Sequence, residues 1–202
     1  MKILCLGHIS YDITFPVKEF ITENKKIRTD RRIDCGGGPA SNAAYLLGSW
    51  GAETYIAGLV GNHLYRKRIH DEFAKVNVNT KYLEMRDNYQ TSNSVIINNT
   101  STGSRTVLSY RANKEQMKAF DLDFEPDVIL IDGHEYERSN EVLDRYPNAI
   151  SIIDAGRATD EVINLAKKVN YVVCSKEFAE SVTGINIDYE NEETILKLYR
   201  EL

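Results

Sequence analysis

Three consecutive glycines, Gly36 to Gly38, stand directly before Pro39 in the stretch DCGGGPASNAA. Because glycine has no Cβ, backbone N–H groups there can approach a ligand closely, and a helix that begins at Pro39 offers further unpaired N–H groups. Asn42 falls in the first turn of that helix, where its amide can both donate to and accept from a hydroxyl group. The pattern favours an oxygen-rich ligand such as a sugar, and a tight loop packed against a neighbouring strand stays open as the alternative.

Asp12 follows the first apolar run of the chain by a few residues. Ligands of open α/β sheets bind at the carboxyl ends of the strands, where a carboxylate can accept hydrogen bonds from sugar hydroxyls. The same residue can equally cap the turn after the strand. Two phosphate-binding motifs are excluded, because the chain has no G-x-x-x-x-G-K-[ST] segment and GHISYD lacks the later glycines of a dinucleotide fingerprint.

Composition excludes several classes of partner. The 202 residues carry a net charge of -5 and are 42% hydrophobic, which is typical of a globular domain and argues against binding to nucleic acid or anionic membranes. Three cysteines without C-x-x-C spacing fit a reducing compartment, and the N-terminus MKILCLGHISYD resembles neither a signal peptide nor a membrane span. We expect a cytoplasmic protein whose partner is a small molecule.

Apolar, β-branched runs alternate with helical patterns, which predicts a doubly wound α/β fold with a mostly parallel sheet in three layers. One helix is expected from Pro39 to a stop at Gly51 and a second from about Leu64 to Val76. The predicted strands are Lys2 to Leu6, Thr54 to Val60, Val128 to Ile131, Ile150 to Ile153 and Tyr171 to Cys174.

Two stretches, residues 13–34 and 82–110, interrupt this alternation. SNSVIINN and SRTVLSYR read as half-exposed strands, so we expect a small β-sheet lid over the ligand-binding edge of a single domain. At the C-terminus, Ile195, Leu198, Tyr199 and Leu202 form one apolar helical face with no strand to follow. We therefore expect the domain of residues 1–202 to be incomplete at its C-terminal end.

The histidines do not suggest a metal enzyme. They are scattered and form no HExxH pair, so we interpret them as surface or core residues, and no G-x-S-x-G segment indicates a hydrolase. Glu135 and Glu137 read as a solvated helix start. The histidines are His8, His63, His70 and His134.

The stretch GGGPASNAAYLLGSWGAETYIAGLVG, from Gly36 to Gly61, resembles the first signature of the PfkB carbohydrate kinase family, also called the ribokinase family. Asp12 is similar to the substrate aspartate of the family, SRTVLSYR to its lid strand, and DVILIDGHE and IDAG to its central strands. The resemblance covers the N-terminal two thirds of the family's length. It implies a ribokinase-like fold and an ATP-dependent, Mg²⁺-requiring kinase that phosphorylates a sugar hydroxyl.

By matching positions, the resemblance implies that Asp12, Gly37, Gly38 and Asn42 bind the sugar. Arg111 is similar to a residue that some members, including 2-keto-3-deoxygluconate kinases, use on an acidic or keto substrate; a solvated strand-end charge is its alternative role. No residue of this chain is assigned to catalysis or to a metal, and its cofactor-binding residues are unknown.

Three segments depart from the family pattern. His63 and Arg66 replace the aspartate and second glycine of a G-x-D-x-x-G segment, so the loop there must differ. Ser175 and Phe178 stand where the family has the Asn and Glu of an N-x-x-E element associated with magnesium and phosphate. The second signature, with its Gly-Ala-Gly-Asp anion hole and catalytic aspartate, has no counterpart, so we expect the isolated chain to be nearly inactive.

Two classes of function stay open: a sugar kinase represented by its acceptor-binding part, and a non-catalytic sugar-binding or interaction module. A nucleoside kinase of the same fold would differ only in its acceptor. We also expect a homodimer formed through the lid, because the exposed edges of a small sheet favour pairing and a face formed by Val95, Ile97 and Val107 requires cover.

Overall fold

The computed structural model describes residues 1–111 and 115–201, and within these residues the strands and helices alternate as the apolar runs predict. The strands are β1 (Lys2–Leu6), β2 (Ser10–Val17), β3 (Ile33–Gly37), β4 (Glu53–Gly61), β5 (Asn79–Arg86), β6 (Ser92–Asn99), β7 (Arg105–Tyr110), β8 (Val128–Ile131), β9 (Ile150–Ala155) and β10 (Tyr171–Cys174). The helices are α1 (Pro39–Ser49), α2 (Leu64–Lys75), α3 (Tyr136–Arg145), α4 (Asp160–Ala166), α5 (Lys176–Thr183) and α6 (Glu192–Glu201).

Six strands form the main sheet in the order β10-β9-β8-β1-β4-β5, and every neighbouring pair is parallel. Alternate residues of the central strand β1 enter two different cores. Ile3 and Cys5 pack with residues of α1 and α2, whereas Leu4 and Leu6 pack with residues of α3, α4 and α5. The sheet is therefore covered on both faces, and the predicted three-layer, mostly parallel α/β fold is confirmed.

The lid is a separate sheet of four strands in the order β3-β2-β6-β7. Strand β2 pairs antiparallel with β3 and parallel with β6, and β6 pairs antiparallel with β7. Strand β7 is an edge, and all six of its residues are exposed.

The lid differs from the predicted segments in its boundaries. Residues 82–86 belong to β5 of the main sheet, so the assignment of residues 82–110 to the lid was wrong at its start. Because β5 is an edge strand, it is only partly buried and its residues alternate like those of a lid strand. Residues 18–32 contain no strand, and β2 begins at Ser10, before the predicted lid segment.

The lid register also corrects the predicted apolar face. Val95 pairs with Leu108 and Ile97 with Thr106, whereas Val107 pairs with Ile96. Residues opposite each other in an antiparallel pair share a face, so Val107 lies on the other side of the lid from Val95 and Ile97.

The C-terminal edge of the main sheet is less buried than its apolar sequence predicts. In β10, Tyr171 is 61% exposed and Val173 is 61% exposed. In α6, Leu198 is buried while Tyr199 is exposed; Leu202, the last residue of the predicted apolar helical face, lies outside the described residues. Within the described part of the chain, no helix is both long enough and apolar enough to cross a membrane.

Candidate functional site

Asp12 and Gly37 meet at the base of the lid. Ser10 pairs with Gly37 across β2 and β3, and Asp12 pairs with Cys35, so these side chains share a face. Ser10 Oγ donates a hydrogen bond to Asp12 Oδ1 at 3.2 Å. A Cβ on Gly37 would overlap the Asp12 carboxylate, which explains why glycine stands at this position.

Gly38 is the N-cap of α1 and has a φ of 99°, a conformation that L side chains rarely adopt. A Cβ there would also overlap the carbonyl oxygen of His8. Gly38 thus allows the start of α1 to lie directly against the end of β1. The carbonyl oxygen of Gly38 accepts the first helical hydrogen bond from the N–H of Asn42 at 2.9 Å.

Asn42 borders a different side of the glycine segment. Its exposed side chain lines an open pocket of about 440 Å³ together with Gly36 and Glu72. Glu72 Oε2 accepts a hydrogen bond from the N–H of Gly36 at 2.7 Å. Among the described residues no hydrogen bond joins Asn42 to Asp12, so the structure brings Asp12, Gly37 and Gly38 together and leaves Asn42 beside Gly36.

Asp132 is a buried carboxylate at the carboxyl end of β8 that joins three segments. Oδ2 accepts hydrogen bonds from the N–H of His8 at 2.8 Å and of Ala40 at 3.1 Å. Oδ1 accepts from the N–H and from Nδ1 of His134, both at 3.1 Å. A Cβ on Gly7 would overlap this carboxylate. Asp132 therefore holds the ends of β1 and β8 and the start of α1 in one place.

The rings of His8 and His134 stack with centroids 4.6 Å apart. Burial, and next the charge of His134, lower the pKa of His8 to about 4. For His134, burial acts to lower the pKa, but its hydrogen bond to Asp132 and the charge of that carboxylate outweigh burial and raise the pKa. Burial acts to raise the pKa of Asp132, and the hydrogen bonds and charge that it receives from His134 hold it below its usual range.

Glu135 is 5% exposed, so the prediction of a solvated helix start is wrong for this residue. Its Oε2 accepts a hydrogen bond from the N–H of Met117 at 2.7 Å. Burial is the main cause that raises the pKa of Glu135 to about 7, and the charge of Asp132 adds to it. The side chain therefore titrates close to neutral pH.

Arg111 is exposed and directly follows Tyr110, which pairs with Asn93 of β6. Asn93 in turn pairs with Tyr11, the neighbour of Asp12. Arg111 therefore follows β7 at the end of the lid sheet that lies nearest to Asp12.

The interpretation of the four histidines as scattered was wrong for His8 and His134. Each residue follows an apolar run by only a few positions, and β1 and β8 are parallel neighbours in the sheet. Carboxyl ends of neighbouring parallel strands meet at one edge, so this spacing was the available signal. We call His8, Asp132, His134, Glu135 and Arg111 the carboxyl-edge cluster.

The departures from the family pattern have structural roles. His63 Nε2 accepts a hydrogen bond from the N–H of Thr91 at 3.0 Å, so His63 ties the loop before α2 to the entry of the lid. Ser175 caps α5, since its Oγ accepts from the N–H of Phe178 at 3.0 Å and donates to the carbonyl oxygen of Gly156 at 2.7 Å. In the described part of the chain, no group of three His, Cys, Asp or Glu side chains is arranged to hold a metal ion.

These elements define a ribokinase-like α/β domain with a polar site between its main sheet and its lid. The chain belongs to the pfkB family of carbohydrate kinases, whose family model matches residues 1–202.

Solved structures with the same fold include a putative ribokinase from Agrobacterium tumefaciens, with a TM-score of 0.85 and 22% identity over 98% of this chain and 66% of that chain. The 2-dehydro-3-deoxygluconokinase from Thermotoga maritima has a TM-score of 0.78 and 19% identity over 100% of this chain and 68% of that one. The Arabidopsis thaliana ribokinase complexed with ribose and ATP has a TM-score of 0.73 and 17% identity over 99% of this chain and 68% of that one. The chain thus spans about two thirds of the length of these proteins.

Proposed function

We propose that this chain is the acceptor-binding part and lid of an ATP-dependent kinase that phosphorylates a sugar hydroxyl. The observation that carries the proposal is the contact of Asp12 with Gly37 and Ser10, at the point where the lid joins the main sheet. A carboxylate there can accept hydrogen bonds from sugar hydroxyl groups, and Gly37 leaves the room that this carboxylate occupies. Membership of the pfkB family supports the reaction class.

In this proposal Asp12 orients the acceptor by accepting hydrogen bonds from its hydroxyl groups. Gly37 and Gly38 let Asp12 and the end of β1 pack closely against the start of α1, while Asn42 lines the pocket beside Gly36 and is given no part in this contact. Positioning of this kind is a large part of the catalysis of phosphoryl transfer, because that reaction needs alignment and charge stabilisation more than covalent help from the protein.

The nucleotide half of the reaction requires residues other than those described above. ATP, when bound, supplies the phosphoryl group, and Mg²⁺ neutralises its developing charge. Because Ser175 is occupied as a helix cap and no metal-binding group of side chains is present among the described residues, we derive no step through either one. We propose that the catalytic base and anion hole belong to a further segment that covers the exposed apolar strand β10.

Calorimetric titration of the chain with simple aldoses, ketoses and nucleosides tests this function. Asp12→Ala should lower the affinity for the best acceptor about five- to a hundredfold, because a buried polar contact is worth about 1–3 kcal/mol. The exposed Asp30→Ala is the matched control and should leave this affinity unchanged. Unchanged binding in Asp12→Ala would remove Asp12 from the site.

A phosphotransfer assay distinguishes the acceptor-binding part of a kinase from a non-catalytic sugar-binding module. The chain alone should turn over ATP far below the 1–100 per second that is usual for kinases. An ordinary rate would mean that a catalytic base lies within these residues. If a longer form that carries the missing signature also fails to phosphorylate a sugar that it binds, the non-catalytic module is the better description.

A further inference from the structure

A cavity of about 520 Å³ lies between α2 and the part of the main sheet formed by β4 and β5. Four basic side chains line it from one face of α2, at the helical spacing i, i+3, i+4 and i+7. They are His63, Arg66, Lys67 and His70. None of the described residues that line the cavity is acidic. The cavity therefore has a basic rim in a chain whose formal net charge is -5.

Two of the rim residues are departures from the family pattern. His63 stands where the G-x-D-x-x-G segment has its aspartate, and Arg66 stands where that segment has its second glycine. The exchange removes one negative charge and adds one positive charge at the start of α2. The basic rim is thus a property of this chain and does not follow from the family pattern.

The guanidinium of Arg66 is positioned by a neutral group. Its Nη1 donates a hydrogen bond to Asn62 Oδ1 at 2.6 Å, and Asn62 Nδ2 donates to Asp87 Oδ1 at 2.5 Å. An amide therefore separates Arg66 from this carboxylate, and within residues 1–111 and 115–201 Arg66 forms no ion pair. The remaining N–H groups of the guanidinium can donate to a ligand.

Lys67 and His63 add donors to the rim. Lys67 Nζ lies 2.5 Å from Asp71 Oδ2, but the two side chains are 83% and 49% exposed, and an exposed ion pair of this kind holds a lysine only weakly. His63 Nε2 accepts a hydrogen bond from the N–H of Thr91, so the neutral ring carries its proton on Nδ1. The rim thus offers two positive charges, from Arg66 and Lys67, and an imidazole N–H group.

The floor of the cavity is apolar. It is formed by Ile69 of α2 and by Leu83 and Met85 of β5. Met85 is 49% exposed although its side chain is large and apolar. An inorganic anion at the rim would leave this surface in contact with water, whereas an apolar group attached to the anion would cover it.

The opposite face of α2 serves the base of the lid. Glu72 accepts a hydrogen bond from the N–H of Gly36, and Arg68 Nη1 donates to Asp34 Oδ2 at 3.2 Å. None of the described residues that line the cavity belongs to the carboxyl-edge cluster or to the glycine segment at Gly37. The cavity is therefore a second site, and its chemistry does not depend on the acceptor proposed above.

We propose that this cavity binds a small phosphate monoester, with the phosphate at the basic rim and the apolar body on Leu83 and Met85. A phosphate dianion can accept hydrogen bonds from a guanidinium and an ammonium group at the same time. Such charge-assisted hydrogen bonds are stronger than those between neutral groups. The apolar floor selects an ester over free phosphate, because only the ester removes that surface from water.

NMR spectroscopy of the chain labelled with ¹³C at its methionine methyl groups tests this site directly. Met85 lines the cavity, whereas Met117 is buried in the core on the other face of the sheet. Phenyl phosphate, added at constant ionic strength, should shift the Met85 signal saturably and leave the Met117 signal unchanged. Phenol and inorganic phosphate should each bind about tenfold or more weakly, because each makes only one of the two kinds of contact.

Arg66→Gln should weaken the binding of phenyl phosphate about ten- to a hundredfold, because it removes a charge-assisted hydrogen bond. Arg68→Gln removes the same charge from the opposite face of α2 and is the matched control. It should change the affinity no more than about twofold, since solvent and salt screen a charge that does not contact the ligand.

Three results would overturn this inference: a Met85 shift no larger than that of the exposed Met1, phenol binding as tightly as phenyl phosphate, or equal binding by Arg66→Gln and the wild type. Phenol binding as tightly would show an apolar cavity without an anion site. The acceptor titrations with Asp12→Ala use another site and another readout, so the sugar-kinase proposal stands or fails separately.

Discussion

His8 and His134 stack with an interplanar angle of 23° although they are 126 positions apart in the sequence (134 − 8), and one carboxylate, Asp132, bonds to both residues. The environment drives their pKa values apart. By NMR titration, His8 should show a pKa of about 4, and His134 a pKa above the ordinary value of 6.5. A value near 6.5 for His8 would show that its ring is not buried in solution.

Asp132→Asn tests the cause of this difference. Because the hydrogen bond and the charge of Asp132 raise the pKa of His134, the amide should lower it. The two pKa shifts also make the free energy of unfolding depend on pH. The contribution of His8 is complete above pH 6.5 and is lost as the pH falls toward 4. The contribution of His134 is complete below pH 6.5 and is lost as the pH rises through its raised pKa.

Glu135→Gln should change how stability depends on pH. The pKa of Glu135 is raised from 4.5 to about 7, so the folded wild type retains a proton that the unfolded chain releases as the pH rises between these values. Relative to the Gln variant, the wild type should lose about 2–3 kcal/mol of unfolding free energy across this range. Urea unfolding at pH 5 and pH 8 measures the difference in unfolding free energy between the two proteins. A difference that is the same at both pH values would contradict a raised pKa.

Gly37→Ala should damage the acceptor site by steric displacement of Asp12. The new Cβ would overlap the Asp12 carboxylate and come close to Ser10 Oγ, so we expect a loss of about 1–3 kcal/mol in stability and weaker acceptor binding. Gly156→Ala is the control, because no atom lies within 4 Å of its Cβ position. Thermal unfolding and calorimetry measure both effects, and equal behaviour of the two variants would refute the close packing at Gly37.

Leu108→Asp should weaken self-association if the lid forms a homodimer, as we propose. Leu108 is 73% exposed on the edge strand β7, on the same lid face as Val95. A charge there would be buried in a lid-to-lid interface and would oppose it. Sedimentation velocity at high micromolar concentration should show a wild-type dimer and a variant monomer, while Leu46→Asp on α1 stays dimeric. A monomeric wild type would exclude the dimer.

Apolar runs were sufficient to predict the main sheet, because buried parallel strands have a continuous apolar composition. The start of α1 was predicted in the same local way, from the glycines before Pro39. The edge strand β5 was placed in the lid because partial burial produces the same alternation as a lid strand. The stacking of His8 on His134 was missed because it depends on β1 and β8 being neighbours in the sheet, which composition along the chain does not show.

Four stretches of chain cross between the main sheet and the lid, and the turn from Asp132 to Glu135 bonds to three of them. It binds His8 after β1, Ala40 after β3, and the segment after β7 through Gln116 and Met117. The turn thus connects three of these stretches, and a movement of the lid relative to the main sheet would change the hydrogen bonds of this turn. A ligand that moves the lid would therefore change the hydrogen bonds of His8, Ala40 and Met117 with this turn together.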